Sequence, residues 1–256
     1  MPGRLIRIVP VFVVLIAGAI LADEPATQAV PATEPSTQPT VPRATIRGWF
    51  SDLASPDAAR REEAQVQLMG LSRDDLPTLK LVVQESRPLA PAQVAALHDI
   101  VLQVYLSGEQ YETDPLHHGF LGLHWSMEEA RTADSGTLGV PVEERLLGFP
   151  SFRVLRQNDL ILAVLIHPDE PAQQLPNTTT PTGNILVDVV GKTVPNQEIW
   201  LEVLRQGQVI RIPIRVMPRP RLLNDEMIDV FINERVKKAE DFWKKQFDPL
   251  LRSAVD

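Results

Sequence analysis

Cysteine is absent from all 256 residues. That excludes a disulfide framework, a thiolate metal site, thiol catalysis and an acylated-cysteine anchor, so packing alone must hold the fold together. Basic residues are also scarce, with 25 Lys and Arg against 33 Asp and Glu, a net charge of -8 and a pI near 5.2. Nucleic acid is therefore not an expected partner, and no Lys/Arg run offers a basic face for an anionic surface. The sequence contains no Gly-x-Ser-x-Gly, no His-Glu-x-x-His and no phosphate loop, so nothing points to hydrolase, metallopeptidase or nucleotide chemistry. No cofactor is expected.

Long apolar runs are lacking too, with one exception near the N-terminus. Arg4 and Arg7 precede "IVPVFVVLIAGAILA", which ends in the small residues Ala17, Ala19 and Ala22. Basic, apolar and small regions in that order predict a signal peptide over residues 1–22, cleaved near Ile20 or Asp23. The chain is then periplasmic or secreted. The run falls short of the roughly 20 apolar residues of a membrane span. The alternative is an uncleaved segment and a single-pass anchored protein, the one case in which a membrane would be a partner. Residues 23–44 are rich in Pro, Thr and Ala, and predict an extended linker without a core.

Helical periodicity occupies residues 45–112. Ser55 followed by Pro56 predicts a helix start, Ala64, Leu68 and Leu71 share one face, and Gly70 marks the end. Ser72 with Asp75 predicts a capping box. Val94, Leu97, Val101 and Val104 recur at helical spacing and predict one core stripe, with His98 at its boundary. The stretch from Leu53 to Val83 resembles a HEAT-type helical pair. One such pair cannot build a solenoid, so a compact helical bundle is expected. Residues 219–256 carry a further amphipathic helix with Ile228, Ile232, Val236, Ala239, Trp243 and Phe247 in a stripe. That stripe packs on the body of the chain or, with Phe242 and Trp243, forms a seam for self-association.

Residues 117–218 change to short apolar runs punctuated by Gly, Pro and Asn. "FLGLHW", "GVPVEERL", "DLILAVLI", "EIWLEVLRQ" and "VIRIPIRVM" predict strands, "RQGQ" a tight hairpin, and "GNILVDVVGK" a helix. Four motifs here occur in the order found in PDZ domains of the bacterial exported type: "GFLGL" at 119–123, "VPVEERLLGFPS" at 140–151, "VLRQNDLIL" at 154–162 and "IWLEVLRQG" at 199–207. Residues 119–216 resemble that family. Val154 and Asn158 stand where the family has glycine; Asn tolerates positive φ and keeps the turn before Asp159. The fold class that follows is α+β and multidomain: a small all-α domain, a PDZ-like partly open β-barrel, and a C-terminal amphipathic helix.

The resemblance implies a groove in which an extended peptide or protein C-terminus adds a strand, its carboxylate taken by clustered backbone N–H groups. Phe120, Leu121, Gly122 and Leu123 on the strand and Leu186 and Val190 on the helix are the candidate peptide-binding residues. Glycine at 122 would leave room for the carboxylate, so Gly122→Glu is expected to abolish binding with the fold intact. An insertion at 167–183 lies near one end of this groove.

Other chemistry is weaker. His117, His118 and His124 with Asp114 lack a ligand spacing, so no metal is expected. Asp134 lies in "ADSGT", the aspartic-peptidase sequence, but one copy would need a symmetric dimer to supply its second carboxylate. As a turn, Asp-Ser-Gly needs no such partner. The sequence reading is a non-enzymatic interaction module. Its alternatives are an accessory or regulatory scaffold of envelope proteolysis, and a dimeric aspartic-type peptidase using Asp134.

Overall fold

A computed structural model describes residues 41–114, 119–124, 130–131, 138–167, 173–174, 182–221 and 227–252. The predicted signal peptide, residues 23–40 of the predicted linker, His117, His118, Asp134 and most of the 167–183 insertion lie outside the described residues, and the last two linker residues, Arg43 and Ala44, are helical. Helix and sheet are mixed, with the helices at both ends of the described chain and the strands between them.

The helical part begins with α1 (Arg43–Asp52), which buries Ile46 and Phe50. Helix α2 (Ala58–Met69) starts two residues after the predicted Ser55–Pro56 signal, because Asp57 is the residue that caps it, accepting the Ala59 N–H at 3.0 Å. Ser55 instead accepts the Asp57 N–H. The predicted capping box is present: Ser72 donates from N and Oγ to Asp75 Oδ2 at 3.0 and 2.7 Å, opening a 3-10 turn that runs into α3 (Leu76–Glu85). Helix α4 (Pro91–Ser107) is central, and it buries Leu97, Ile100, Val101, Leu102, Val104 and Leu106, more than one stripe. Val94, expected in the core, is 39% exposed. Gln93 takes the inward position, donating to the Phe50 carbonyl at 2.8 Å and accepting the Ala90 N–H at 2.9 Å. An amide can satisfy two buried backbone groups that valine would leave unpaired.

Helix α7 (Ile228–Gln246) and the short α8 (Asp248–Arg252) close this core from the far end of the sequence. Ala239, Trp243 and Phe247 are buried in it, and α7 packs against α4. His98 stands at the boundary, 3.0 Å from Glu240 and edge-on to Trp243.

The strands form open sheets, and among the described residues none closes into the expected partly open barrel. The main sheet has the order β3 (Ala130–Arg131), β4 (Leu138–Pro141), β6 (Leu160–Leu165), β8 (Glu198–Arg205) and β9 (Gln208–Arg215), with β7 (Gln173–Gln174) also on β6. The β8–β9 hairpin turns on Gln206 and Gly207, whose φ values of 51° and 80° are the two positive values that a two-residue hairpin with native twist requires. Ile199, Leu201 and Val203 point inward against Val140, Ile161, Val164 and Leu186. Asn158 has φ 71°, the conformation its place in the turn demands. Two small pairings complete the part: β1 (Gly119–Phe120) with β10 (Met217–Pro218), and β2 (Leu123–His124) with β5 (Glu144–Arg145).

Helical and sheet parts meet in a polar seam. Asp159, 2% exposed, receives Arg205 through Nε at 2.9 Å and Nη2 at 2.7 Å. Arg205 and Arg156 also reach Glu62 on α2, and Arg153, on α5 (Pro150–Val154), donates to the Val66 carbonyl at 3.0 Å. Tyr111 donates to the Pro218 carbonyl at 2.9 Å, beside a bridge between Thr113 and Pro220. Leu147 and Phe152 from the sheet part pack against the helical core.

Candidate functional site

Residues 119–124 are not the single strand expected. The chain breaks at Gly122, whose φ of 74° lies in the left-handed region, and β1 and β2 pair with different partners. Both carbonyls at the break turn toward the segment 146–151. Gly122 O accepts Leu146 N–H at 2.8 Å and Ser151 Oγ at 2.7 Å, and Leu121 O accepts Ser151 N–H at 3.1 Å. For the N–H groups of Leu121 and Gly122 no acceptor occurs among the described residues.

The bond from Leu146 N–H to Gly122 O also sets the pairing of β2. That single bond falls at a bonding position of the ladder, one place before Leu123, so Leu123, opposite Arg145, is in the non-hydrogen-bonded kind of pair. Its main-chain N–H and carbonyl then point away from β5. This is an unpaired strand edge, on which the N–H groups of Gly122 and Leu123 point opposite to the inward carbonyls in their peptide planes.

On that side lies a cavity of about 250 Å³ between β1–β2 and α6 (Thr182–Gly191). Phe120, Leu121, Leu123, Leu186 and Val190, five of the six candidate residues, line it. Leu121, Leu123, Leu186 and Val190 are all under 10% exposed and belong to the sheet core as well, so the groove floor and the core are one surface. Gly122 does not line the cavity. A Cβ there would sit 2.1 Å from Phe149 Cβ. Gly122 therefore serves the turn and the packing of Phe149, and the expectation that Gly122→Glu would spare the fold is corrected. Gly119 has a similar duty, since a Cβ on it would lie 2.0 Å from the Val190 carbonyl and block the approach of β1 to α6.

Five lining residues were not among the candidates: the glycines Gly119 and Gly191, and the side chains of His124, Val187 and Arg219. Val187 is 43% exposed on the rim, and the one-face spacing of Leu186 and Val190 passes over it. Arg219 arrives through the pairing of Gly119 with Pro218, a contact across about one hundred residues that leaves no local signal. His124 lines this cavity; among the described residues no group of three His, Asp or Glu is placed to hold an ion, and His117 and His118 lie outside them.

A larger cleft of about 710 Å³ separates α2 from β9 and is rich in arginine. Three of its four arginines have partners within the chain, Arg153 with Val66, Arg205 with Asp159 and Arg211 with Glu202, and Arg215 is the fourth. The smaller groove is the one that combines an apolar floor with unpaired main-chain groups.

No protein-family model matches the chain, and no curated protein does. Among solved structures it is similar to an HtrA-type protease, AlgW, with decapeptide, at 23% identity and a TM-score of 0.33. It is also similar to a substituted form of AlgW with decapeptide, at 27% identity and a TM-score of 0.32. Each likeness covers 50% of this chain and 35% of the other, so the chain spans about a third of the length of the structures it matches.

Proposed function

We propose that this chain is an exported, non-enzymatic interaction module whose PDZ-like groove takes the C-terminal end of a partner polypeptide. The observation that carries the reading is the turn at Leu121 and Gly122, with its carbonyls drawn inward and an apolar cavity on its open side. A ligand lies antiparallel or parallel to β2 as an added strand, bonded to the free main-chain groups of Leu123. Its terminal side chain enters the cavity over Leu121, Leu186 and Val190, and its carboxylate meets the N–H groups of Gly122 and Leu123. His124 and Val187 flank the next side chains. Export by residues 1–22 belongs to the same proposal and places the module outside the cytoplasm.

The test is calorimetric titration of the chain with decapeptides of free C-terminus ending in Val, Leu, Ile, Phe, Ser or Asp. The apolar endings are expected to bind with affinities on the order of micromolar, as suits so small a contact. Amidation of the C-terminus should weaken them. Val187→Asp is the suitable blocking variant, because its exposure spares the fold while its carboxylate opposes the ligand's. Equal heats for every ending, or none at all, would refute the reading.

A further inference from the structure

The groove ends on a turn that the helical part holds from behind. Phe149, 1% exposed, fills the space left by the missing side chain of Gly122 and meets Phe120 edge-on at 4.9 Å. Phe149 is held in turn by α4. Gln103, 3% exposed, accepts the Gly148 N–H at 2.7 Å through Oε1 and donates from Nε2 to the Phe149 carbonyl at 3.1 Å. From α7, the buried Arg235 sets its guanidinium 4.6 Å from the Phe149 ring. Arg235 is itself fixed by Glu109 Oε2 at 2.9 Å and the Leu106 carbonyl at 3.0 Å. Just beyond, Ser151 supplies two of the three bonds that draw the Leu121 and Gly122 carbonyls inward.

We propose that Gln103 and Arg235 are positioning residues for the groove: through Phe149 they fix the two peptide planes that carry the Leu121 and Gly122 carbonyls, and so set which way the N–H groups of Gly122 and Leu123 in those planes point. Neither residue lines the cavity. The proposal rests on the groove reading above for its consequence, which is ligand affinity, but its cause is a property of the free protein. Peptide planes can rotate when the carbonyl partners loosen, and each orientation other than the inward one turns N–H groups away from the groove. A ligand that needs both N–H groups then binds only the fraction of molecules in which they are aligned. The helical part in this account is a component of the binding site and not a neighbouring module.

The experiment uses the full chain with Gln103→Met, which keeps the length of the side chain and removes both of its hydrogen bonds. Backbone amide spectra of the peptide-free protein are compared with those of Val82→Ala, a buried change in α3 away from the groove. Gln103→Met is expected to shift the amide signals of Leu121, Gly122 and Leu123 and speed their hydrogen exchange; Val82→Ala is expected to leave them in place. Titration with a decapeptide ending in Val-Val should then show roughly tenfold weaker binding for Gln103→Met alone, within the usual range of coupling between sites. Phe149→Leu, which shrinks the group beneath Gly122 with no polar loss, serves in the same way if Gln103→Met does not fold. Unchanged amides at 121–123 in the variant that folds would overturn the proposal. If the decapeptide fails to bind even the unaltered chain, the groove reading falls, and the amide signals still decide the positioning.

Discussion

Tyr111 shows how much a single side chain depends on the seam. Burial favours its neutral phenol and pushes the pKa from the ordinary 10.0 up to about 12, with the nearby Arg235 charge offsetting part of the rise. The unfolded chain loses this proton before the folded one does. The stabilisation is therefore complete below pH 10 and is lost as pH climbs toward 12. Urea midpoints measured from pH 8 to 11.5 should fall more steeply in the unaltered chain than in Tyr111→Phe, and absorbance should show one of the two tyrosines ionising late. Parallel curves would contradict this. The sequence gives no sign of such a residue, because burial of Tyr111 comes from Phe149, Phe231 and Arg235, each from a distant stretch. Asn158 is the opposite case. Its positive φ could be read from two neighbours in the chain, since Asn before a buried Asp at a strand entry is a local requirement.

Elements were legible where their chemistry is local, and blurred where another part of the chain decides. Helix α6, the β8–β9 hairpin and the Ser72 cap follow from spacing and turn residues within ten positions. The break of "FLGLHW" into two strands does not, because it is made by Phe149 and Ser151 from beyond the next strand. Pro213 illustrates a residue that looks wrong for a strand until the sheet order is known. It lies on β9, which among the described residues pairs with β8 alone, opposite Trp200 and five places from Gln208, whose pair with Arg205 closes the hairpin, so Trp200 and Pro213 form a non-hydrogen-bonded pair. Its missing N–H therefore faces the free edge, where proline costs no ladder bond and discourages pairing with other chains. Arg205, at the end of β8, joins three partners. It neutralises Asp159, bonds the Val154 carbonyl at 3.0 Å and reaches Glu62. Arg205→Met would leave a carboxylate 2% exposed without its cation, and such losses cost about 3 to 5 kcal/mol. Urea denaturation should show that loss in full at pH 7; a loss under about 1 kcal/mol would mean that water or Arg156 replaces the missing partner.

At the scale of the molecule, the described residues form two apolar cores, one among the helices and one behind the sheet. Whether they behave as two modules depends on what joins them. A flexible tether would leave each core its own unfolding free energy. Here the join consists of buried or half-buried groups with partners on both sides: Gln103 with Gly148 and Phe149, Arg153 with Val66, Arg205 with Glu62, and Tyr111 with Pro218. Helix α7 adds a topological link, since the chain passes through the whole sheet before returning to complete the helical core. Opening the sheet alone would break both bonds of the Gln103 amide and take the Phe149 ring from the guanidinium of Arg235, a loss of about 0.5 to 1.5 kcal/mol for each hydrogen bond. Opening the helices alone would do the same to Gly148 N–H and the Phe149 carbonyl. Native-state hydrogen exchange should therefore assign the amides of Leu102 on α4 and Leu201 on β8 to one common opening, with slowest-exchange free energies equal within about 0.5 kcal/mol across a urea series. A sheet that exchanges through its own, lower-energy opening, separated from the helices by more than about 2 kcal/mol, would contradict a single cooperative unit. It would also weaken the role given to Gln103, because a seam that opens independently of α4 cannot fix the turn at Gly122.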